Sequence, residues 1–135
     1  MSAVKGVNYT LYAAGTILDP GAWGSRVQLM YDEYEAEGLT TASTITVGVL
    51  PAGARLLPNS IIMHDALGTS RTLALGDGTT ANKFMAATAA ASAGKLWLTA
   101  IDELGVRLAA STNLVLTIAG GTGTGTIKSF ILYAL

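Results

Sequence analysis

Cysteine is absent from the 135-residue chain, which excludes disulfide staples and thiolate metal sites and leaves the redox compartment unread. Histidine occurs once, at His64, so no pair of imidazoles is there to found a metal centre. Charge is scarce as well: Asp, Glu, Lys and Arg make up 13% of the residues, against roughly 25% in ordinary soluble domains. The formal net charge is −1, and the basic residues form no stripe. Affinity for phosphate rests on Lys and Arg, so nucleic acid is not an expected partner. Long apolar runs are missing too. No stretch reaches the 18 or so uncharged apolar residues a spanning helix needs, and no membrane partner is expected. Lys5, Gly6 and Asn8 interrupt the N-terminus where a signal peptide would carry its apolar core, so synthesis in the cytoplasm is the expectation.

What is there is half hydrophobic by count and long enough for one domain with a true core. A chain this poor in charge hides its surface in partners or coats itself with Thr, Ser and Gly. Threonine suits exposed strand faces, and both routes are expected here. The plan is clearest from Ser43 to Gly78. Thr44 to Val49 alternates polar and apolar residues, the period of two that a half-buried strand requires. Leu50-Pro51-Ala52-Gly53 breaks the run, a second apolar run covers Ala54 to Asp65, and Arg71 to Leu75 alternates again before Gly76-Asp77-Gly78. Strand-like segments this close leave no room for crossover helices and predict antiparallel neighbours.

The same reading extends both ways. Arg26 to Glu35 alternates, with Val27, Leu29 and Tyr31 on one side. Asn82 to Ala87 is expected as a strand within the alanine-rich stretch, although alanine would also suit a helical turn or two. Lys95–Thr99 and Gly105–Ala109 flank a turn, and Asn113–Ile118 is a further strand. Gly120 to Gly125 reads as a long flexible hairpin tip before a final strand, Thr126–Tyr133. That strand is apolar on both faces, which places it in the middle of a sheet. The predicted fold is all-β: an antiparallel sandwich of roughly eight strands, a jelly roll being the expected variant, with an extended N-terminal arm. The inward set is Ile45, Val47, Val49, Leu73, Leu75, Leu114, Leu116 and Ile118.

The chain offers several groups that resemble chemical machinery, and each has a plainer reading. Asp32, Glu33, Glu35 and Glu37 form the one charge cluster; without the calcium-loop spacing or a second carboxylate group, they read as a solvated strand end. His64-Asp65 are neighbours on a strand and face opposite ways, so they cannot form a catalytic contact by themselves. Ser60 and Ser70 lack a nucleophile elbow. Ala89 to Lys95 departs from the phosphate-loop pattern at its first glycine and at Leu96. The Gly-rich run after Ile118 lacks the helix that a dinucleotide fingerprint must open. No catalytic residue, metal or cofactor is expected.

Residues 1–25 stand apart from residues 26–135, which are expected to form the single sandwich domain. Val4, Val7, Tyr9, Leu11, Tyr12, Ile17, Leu18 and Trp23 are apolar or aromatic, yet glycines and Asp19-Pro20 break their period. One reading makes this segment the first strand of its own sandwich. The other makes it an arm that docks those eight residues on a neighbouring subunit.

Several phrases, in order, carry a resemblance that covers most of the chain. They are Asp19 to Val27 (DPGAWGSRV), Met30 to Ala36 (MYDEYEA), Leu50 to Arg55 (LPAGAR), and Asp65 to Gly68 with Thr72 to Asp77. Together they resemble a family of small virion proteins of tailed bacteriophages, of the capsid decoration or cement type. The resemblance implies a β-sandwich on the capsid surface of the virion, with the major capsid protein as partner and a homo-oligomer, dimer or trimer, as the binding unit. A tail or neck component, or a carbohydrate-binding β-sandwich, is the alternative.

Overall fold

In the computed structural model of the chain, the described residues are 13–15, 26–40 and 42–135. Their elements are all strands: β1 (Val27–Leu39), β2 (Thr44–Leu50), β3 (Arg55–Leu56), β4 (Ile61–His64), β5 (Thr72–Gly76), β6 (Met85–Ala89), β7 (Gly94–Trp97), β8 (Thr112–Ala119) and β9 (Gly123–Ala134). They form two antiparallel sheets. The larger has the order β1-β9-β4-β7 with the short β3 also on β9, and the smaller has the order β2-β8-β5-β6. The core lies between them. Leu114, Leu116 and Ile118 of β8, with Leu73 and Leu75 of β5, meet Ile127 and Ile131 of β9 and Ile62 of β4. Phe84, ahead of β6, is fully buried among them.

β9 is the centre of the larger sheet, as its two apolar faces predict. One edge pairs with β1 along almost its whole length, from Val27↔Ala134 to Leu39↔Gly123. The other edge pairs first with β3 and then with β4. The run from Ala54 to Asp65 is thus one strand cut in two at Leu57–Ser60, because a proline cannot donate to the ladder. Ser60 repairs the cut. Its side chain is fully buried, and its Oγ accepts the N–H of Leu132 at 2.8 Å and donates to the Leu132 carbonyl at 3.2 Å. A hydroxyl does the work of a missing strand residue, since a buried ladder amide left unpaired is costly.

One member of the expected inward set is misplaced: Val49 is 51% exposed. The pairing of β2 with β8 runs Thr46↔Val115 and then Gly48↔Leu114, so Val47 is an extra residue. A bulge of one residue inverts the alternation beyond it. Val49 turns outward opposite Asn113, and Leu50 takes the inner position at 0% exposure. Gly48 marks the site, because a Cβ there would lie 1.9 Å from the Met30 sulfur. The other seven residues of the set are buried.

Further boundaries differ. β1 runs on to Leu39, so the acidic residues lie within a strand and not at its end. The strand expected at Asn82–Ala87 begins at Met85. Gly105–Ala109 forms no strand; Arg107 makes one isolated bridge with Arg55. The glycine-rich tip is short, since β9 starts at Gly123, and it is held by a side chain. The Arg71 guanidinium donates to the carbonyls of Thr69, Gly120 and Thr122. Gly120 has φ +88°, and a Cβ there would meet the Ser70 carbonyl oxygen at 1.9 Å, so the close approach demands glycine.

Candidate interaction surface

Strand register places side chains in rows across the outward face of the larger sheet. Tyr31 of β1 pairs with Phe130 of β9, Phe130 with Ile61 of β4, and Ile61 with Trp97 of β7. Tyr31 and Trp97 are about half exposed, at 49% and 51%. The Tyr31 and Phe130 rings stand 5.0 Å apart, tilted by 53°, a separation typical of favourable aromatic pairs. On one side of this row Leu29 pairs with Leu132, and Val27 with Ala134; Val27 and Leu29 are well exposed. On the other side the next row is Glu33, Lys128, Met63 and Lys95. An apolar band therefore crosses four strands and ends against a charged row.

Local chemistry fits that boundary. The Tyr31 hydroxyl donates to Glu33 Oε2 at 2.9 Å. Ionising the phenol would forfeit that bond and set a negative charge beside the carboxylates of Glu33 and Asp32, so its pKa is raised. Glu35 accepts a hydrogen bond from the Thr126 hydroxyl across the strands. The acidic residues are thus spread along an exposed strand, and Asp32, Glu33 and Glu35 each accept a hydrogen bond from a neighbour. Among the described residues no group of three or more His, Asp or Glu could hold a metal ion.

The remaining candidates are placed as follows. His64 is buried, and its Nδ1 lies 2.8 Å from the carbonyl oxygen of Asp65, not from its carboxylate. That carboxylate accepts the Thr126 amide through Oδ2 at 3.0 Å, so the Asp65 side chain serves the join between β4 and β9. Ser60 is committed to Leu132, and Ser70 sits in the β4–β5 loop with φ +61°. Val4, Val7, Tyr9, Leu11, Tyr12, Ile17, Leu18 and Trp23, the interface residues expected from the sequence, lie outside the described residues. The row from Tyr31 to Trp97 was not singled out as a surface by sequence reasoning. Its signal is faint: alternating Val27, Leu29 and Tyr31 look like any inward strand face until the pairing with β9 turns them out.

What this face can do is bind apolar surface. Contiguous exposed apolar patches on small proteins mark interaction sites, and an aromatic residue at each end of the row supplies the large, stiff side chains that dominate interface energetics. Among the described residues no helix is long and apolar enough to cross a membrane.

Comparison with known proteins agrees with an assembly role for such a fold. No protein-family model and no curated protein matches the chain. Among solved structures, a chain of the cyanophage Pam1 capsid asymmetric unit is similar over 100% of this chain and 99% of its own length, with 25% identity and a TM-score of 0.71. A chain of the capsid of Ralstonia phage GP4 is similar over 88% of this chain and 89% of its own, with 20% identity and a TM-score of 0.62. A chain of the acid-stable capsid of Helicobacter pylori bacteriophage KHP30 shares the fold over 81% of this chain and 87% of its own, at 16% identity and a TM-score of 0.57. All three structural neighbours are bacteriophage capsid proteins.

Proposed function

We propose that this protein is a structural component of a bacteriophage virion that decorates and stabilises the capsid, binding the lattice of the major capsid protein as an oligomer. The observation that carries the proposal is the end-to-end likeness to a chain of the Pam1 capsid asymmetric unit, at 25% identity over the full length of both chains. The apolar band across the larger sheet supports it, because that face needs a protein partner more than it needs a solvent. Support for a jelly roll comes from the strand order. With β3 set aside, 1-9-4-7 faces 2-8-5-6, the arrangement of two interlocked Greek keys. On this reading residues 26–135 are the sandwich domain, and the protein is made in the host cytoplasm and ends on the capsid surface.

Residues Ser2 to Trp23 act in the same proposal as a docking arm. Their apolar residues follow no regular strand period in the sequence, and burial stabilises by about 25 cal/mol per Å² of apolar surface. A few hundred Å² would contribute several kcal/mol before the cost of ordering the arm, and a lattice multiplies the gain because each oligomer holds on through more than one arm.

Counting copies in purified virions tests the role. A decoration protein is present in hundreds of copies per particle; a tail or neck component, present in far fewer, would replace it. Deleting Ser2–Trp23 tests the arm. A folded protein that no longer binds undecorated capsids supports it, and a folded protein that binds as before defeats it.

A further inference from the structure

β1 is thirteen residues long, and among the described residues it pairs with β9 alone. Edge strands are normally guarded by brevity, proline, charged side chains or a bulge, since their open amides and carbonyls invite another strand. β1 has no proline, its acidic residues begin only at Asp32, and its register shift lies at the far end, between Glu37 and Leu39, so Val27–Tyr31 carries none of these guards.

The direction of its backbone groups can be read from β9. Leu132 bonds through both its N–H and its carbonyl toward β3 and β4, with Leu57 and Ser60. Its partner across the other ladder is Leu29, so Leu29 belongs to a pair that exchanges no bonds, and its own N–H and C=O point away from β9. The Leu135 amide bonding to the Arg26 carbonyl agrees, because even-numbered residues of this strand face β9. Val27, Leu29 and Tyr31 therefore present their backbone groups to the open edge. At Glu33 the edge closes: the Asp32 carboxylate accepts the Glu33 amide at 2.8 Å. The open segment is the same Val27–Tyr31 whose side chains are exposed and apolar.

We infer that two copies of this chain join through antiparallel pairing of their β1 edges, with a two-fold axis at Leu29. This takes up the oligomer of the proposed function and names its interface. The register follows from the side chains. With Leu29 opposite Leu29 of the second copy, Val27 faces Tyr31, and every apolar residue of the open segment meets an apolar one. Arg26 then stands opposite Asp32, a favourable cross-strand charge pair. Moving the axis to Met30 sets Val27 against Glu33, and moving it to Tyr31 sets Leu29 against Glu33. Full overlap of the two strands sets Glu33 against itself, which repels. In the Leu29 register each of the opposed pairs 27/31, 29/29 and 31/27 exchanges both of its backbone bonds. The two larger sheets become one, and their apolar bands become continuous.

The absence of native cysteine makes the test direct. Single variants Leu29→Cys, Tyr31→Cys and Glu33→Cys are oxidised and resolved without reductant. Opposed Cα atoms in a bonded antiparallel pair lie about 5.5 Å apart, within disulfide reach, whereas identical residues two or more places from the axis exceed the roughly 7 Å limit. Leu29→Cys is expected to convert to a covalent dimer, with Tyr31→Cys and Glu33→Cys slower by about tenfold or more, the ratio expected when only the first geometry permits the bond. In sedimentation velocity the wild type should be a dimer. Leu29→Lys, or Val27→Lys should the first variant lose its fold, should weaken the dimer about tenfold or more by setting like charges together or a charge against an apolar ring, with the melting temperature unchanged at dilutions where both proteins are monomeric. Faster cross-linking through Tyr31→Cys or Glu33→Cys overturns the inference, and so does a wild type that is monomeric at its highest soluble concentration. A monomer that still binds undecorated capsids removes the dimer and leaves the decoration role; a dimer that ignores capsids does the reverse.

Discussion

The two sheets share one core and present opposite outward faces. On the smaller sheet the outer rows are Thr46, Val115 and Gly76, and Thr44, Thr117 and Ala74. Threonine coats what faces water, and the apolar members are covered by the chain itself. Val115 is 7% exposed because the loop after β5 folds across it: a Cβ on Gly78 would lie 3.5 Å from the Val115 side chain, and one on Gly76 would strike the Thr80 carbonyl oxygen at 1.8 Å. On the larger sheet the equivalent rows are Tyr31 to Trp97 and Leu29–Leu132, and no described loop closes over them. The low charge of the chain therefore has two sources. One face replaces charge with threonine, and the other leaves apolar side chains such as Val27, Leu29, Tyr31 and Trp97 exposed.

That contrast is broken most severely from inside. Leu116 is fully buried at the middle of β8, and Leu116→Ala should cost about 2–5 kcal/mol through lost transfer energy and the cavity left behind, read by urea denaturation. If Leu29→Ala on the outer face cost as much, the division into core and partner face would be wrong. Next comes Ser60→Ala, expected to cost about 1–3 kcal/mol by stranding the buried Leu132 amide; a melting curve equal to wild type would remove the hydroxyl from the ladder.

A smaller effect belongs to the covering loop. Asp77 accepts the Thr80 and Thr79 amides at 2.7 and 2.9 Å and meets Lys83 at 3.3 Å. The Thr80 bond foremost, then Thr79 and Lys83, holds its pKa below the ordinary carboxylate value. A folded-state pKa below the unfolded one means the stabilisation is complete above the unfolded carboxyl range, near 3.9, and is lost as pH falls through the folded value. Stability of Asp77→Ala should accordingly fall less than that of wild type on acidification below pH 4 or so, measured by thermal melts. The smallest expected change in stability is that of Trp97→Ser, within about 0.5 kcal/mol, while the same variant should bind undecorated capsids markedly less well. A large loss of stability there would make Trp97 a core residue and blur the distinction between the faces.

How far the fold could be read in advance depends on where pairing is local. β5 and β8 were legible because one face of each is apolar at a period of two over several residues, and Leu73, Leu75, Leu114, Leu116 and Ile118 are all buried. β9 was legible as a central strand from its two apolar faces. Val49 was not, since a single bulge at Val47 reverses every side chain after it and leaves only Gly48 as a trace. Ser60 could be seen to lack the setting of a nucleophile, but not to stand in for a backbone group. The apolar band was hidden for another reason. Each of its four strands contributes one or two residues, and only the register brings Tyr31, Phe130, Ile61 and Trp97 into line. Ser2–Trp23 was the interface expected from composition, and its eight apolar and aromatic residues lie outside the described residues.

The sharing of β9 has a consequence for the order of folding. β1 finds its partner about a hundred residues downstream; the hydrogen bond between Tyr133 and Gln28 alone spans 105 positions. Closing such long loops comes before any reward from the pairing, and topologies of this kind fold slowly. β8 ends at Ala119 and β9 begins at Gly123, so the strands that complete the two sheets are made almost together, near the end of the sequence. Until β9 arrives, β1 lacks its partner, and an unpaired strand with apolar side chains invites premature association.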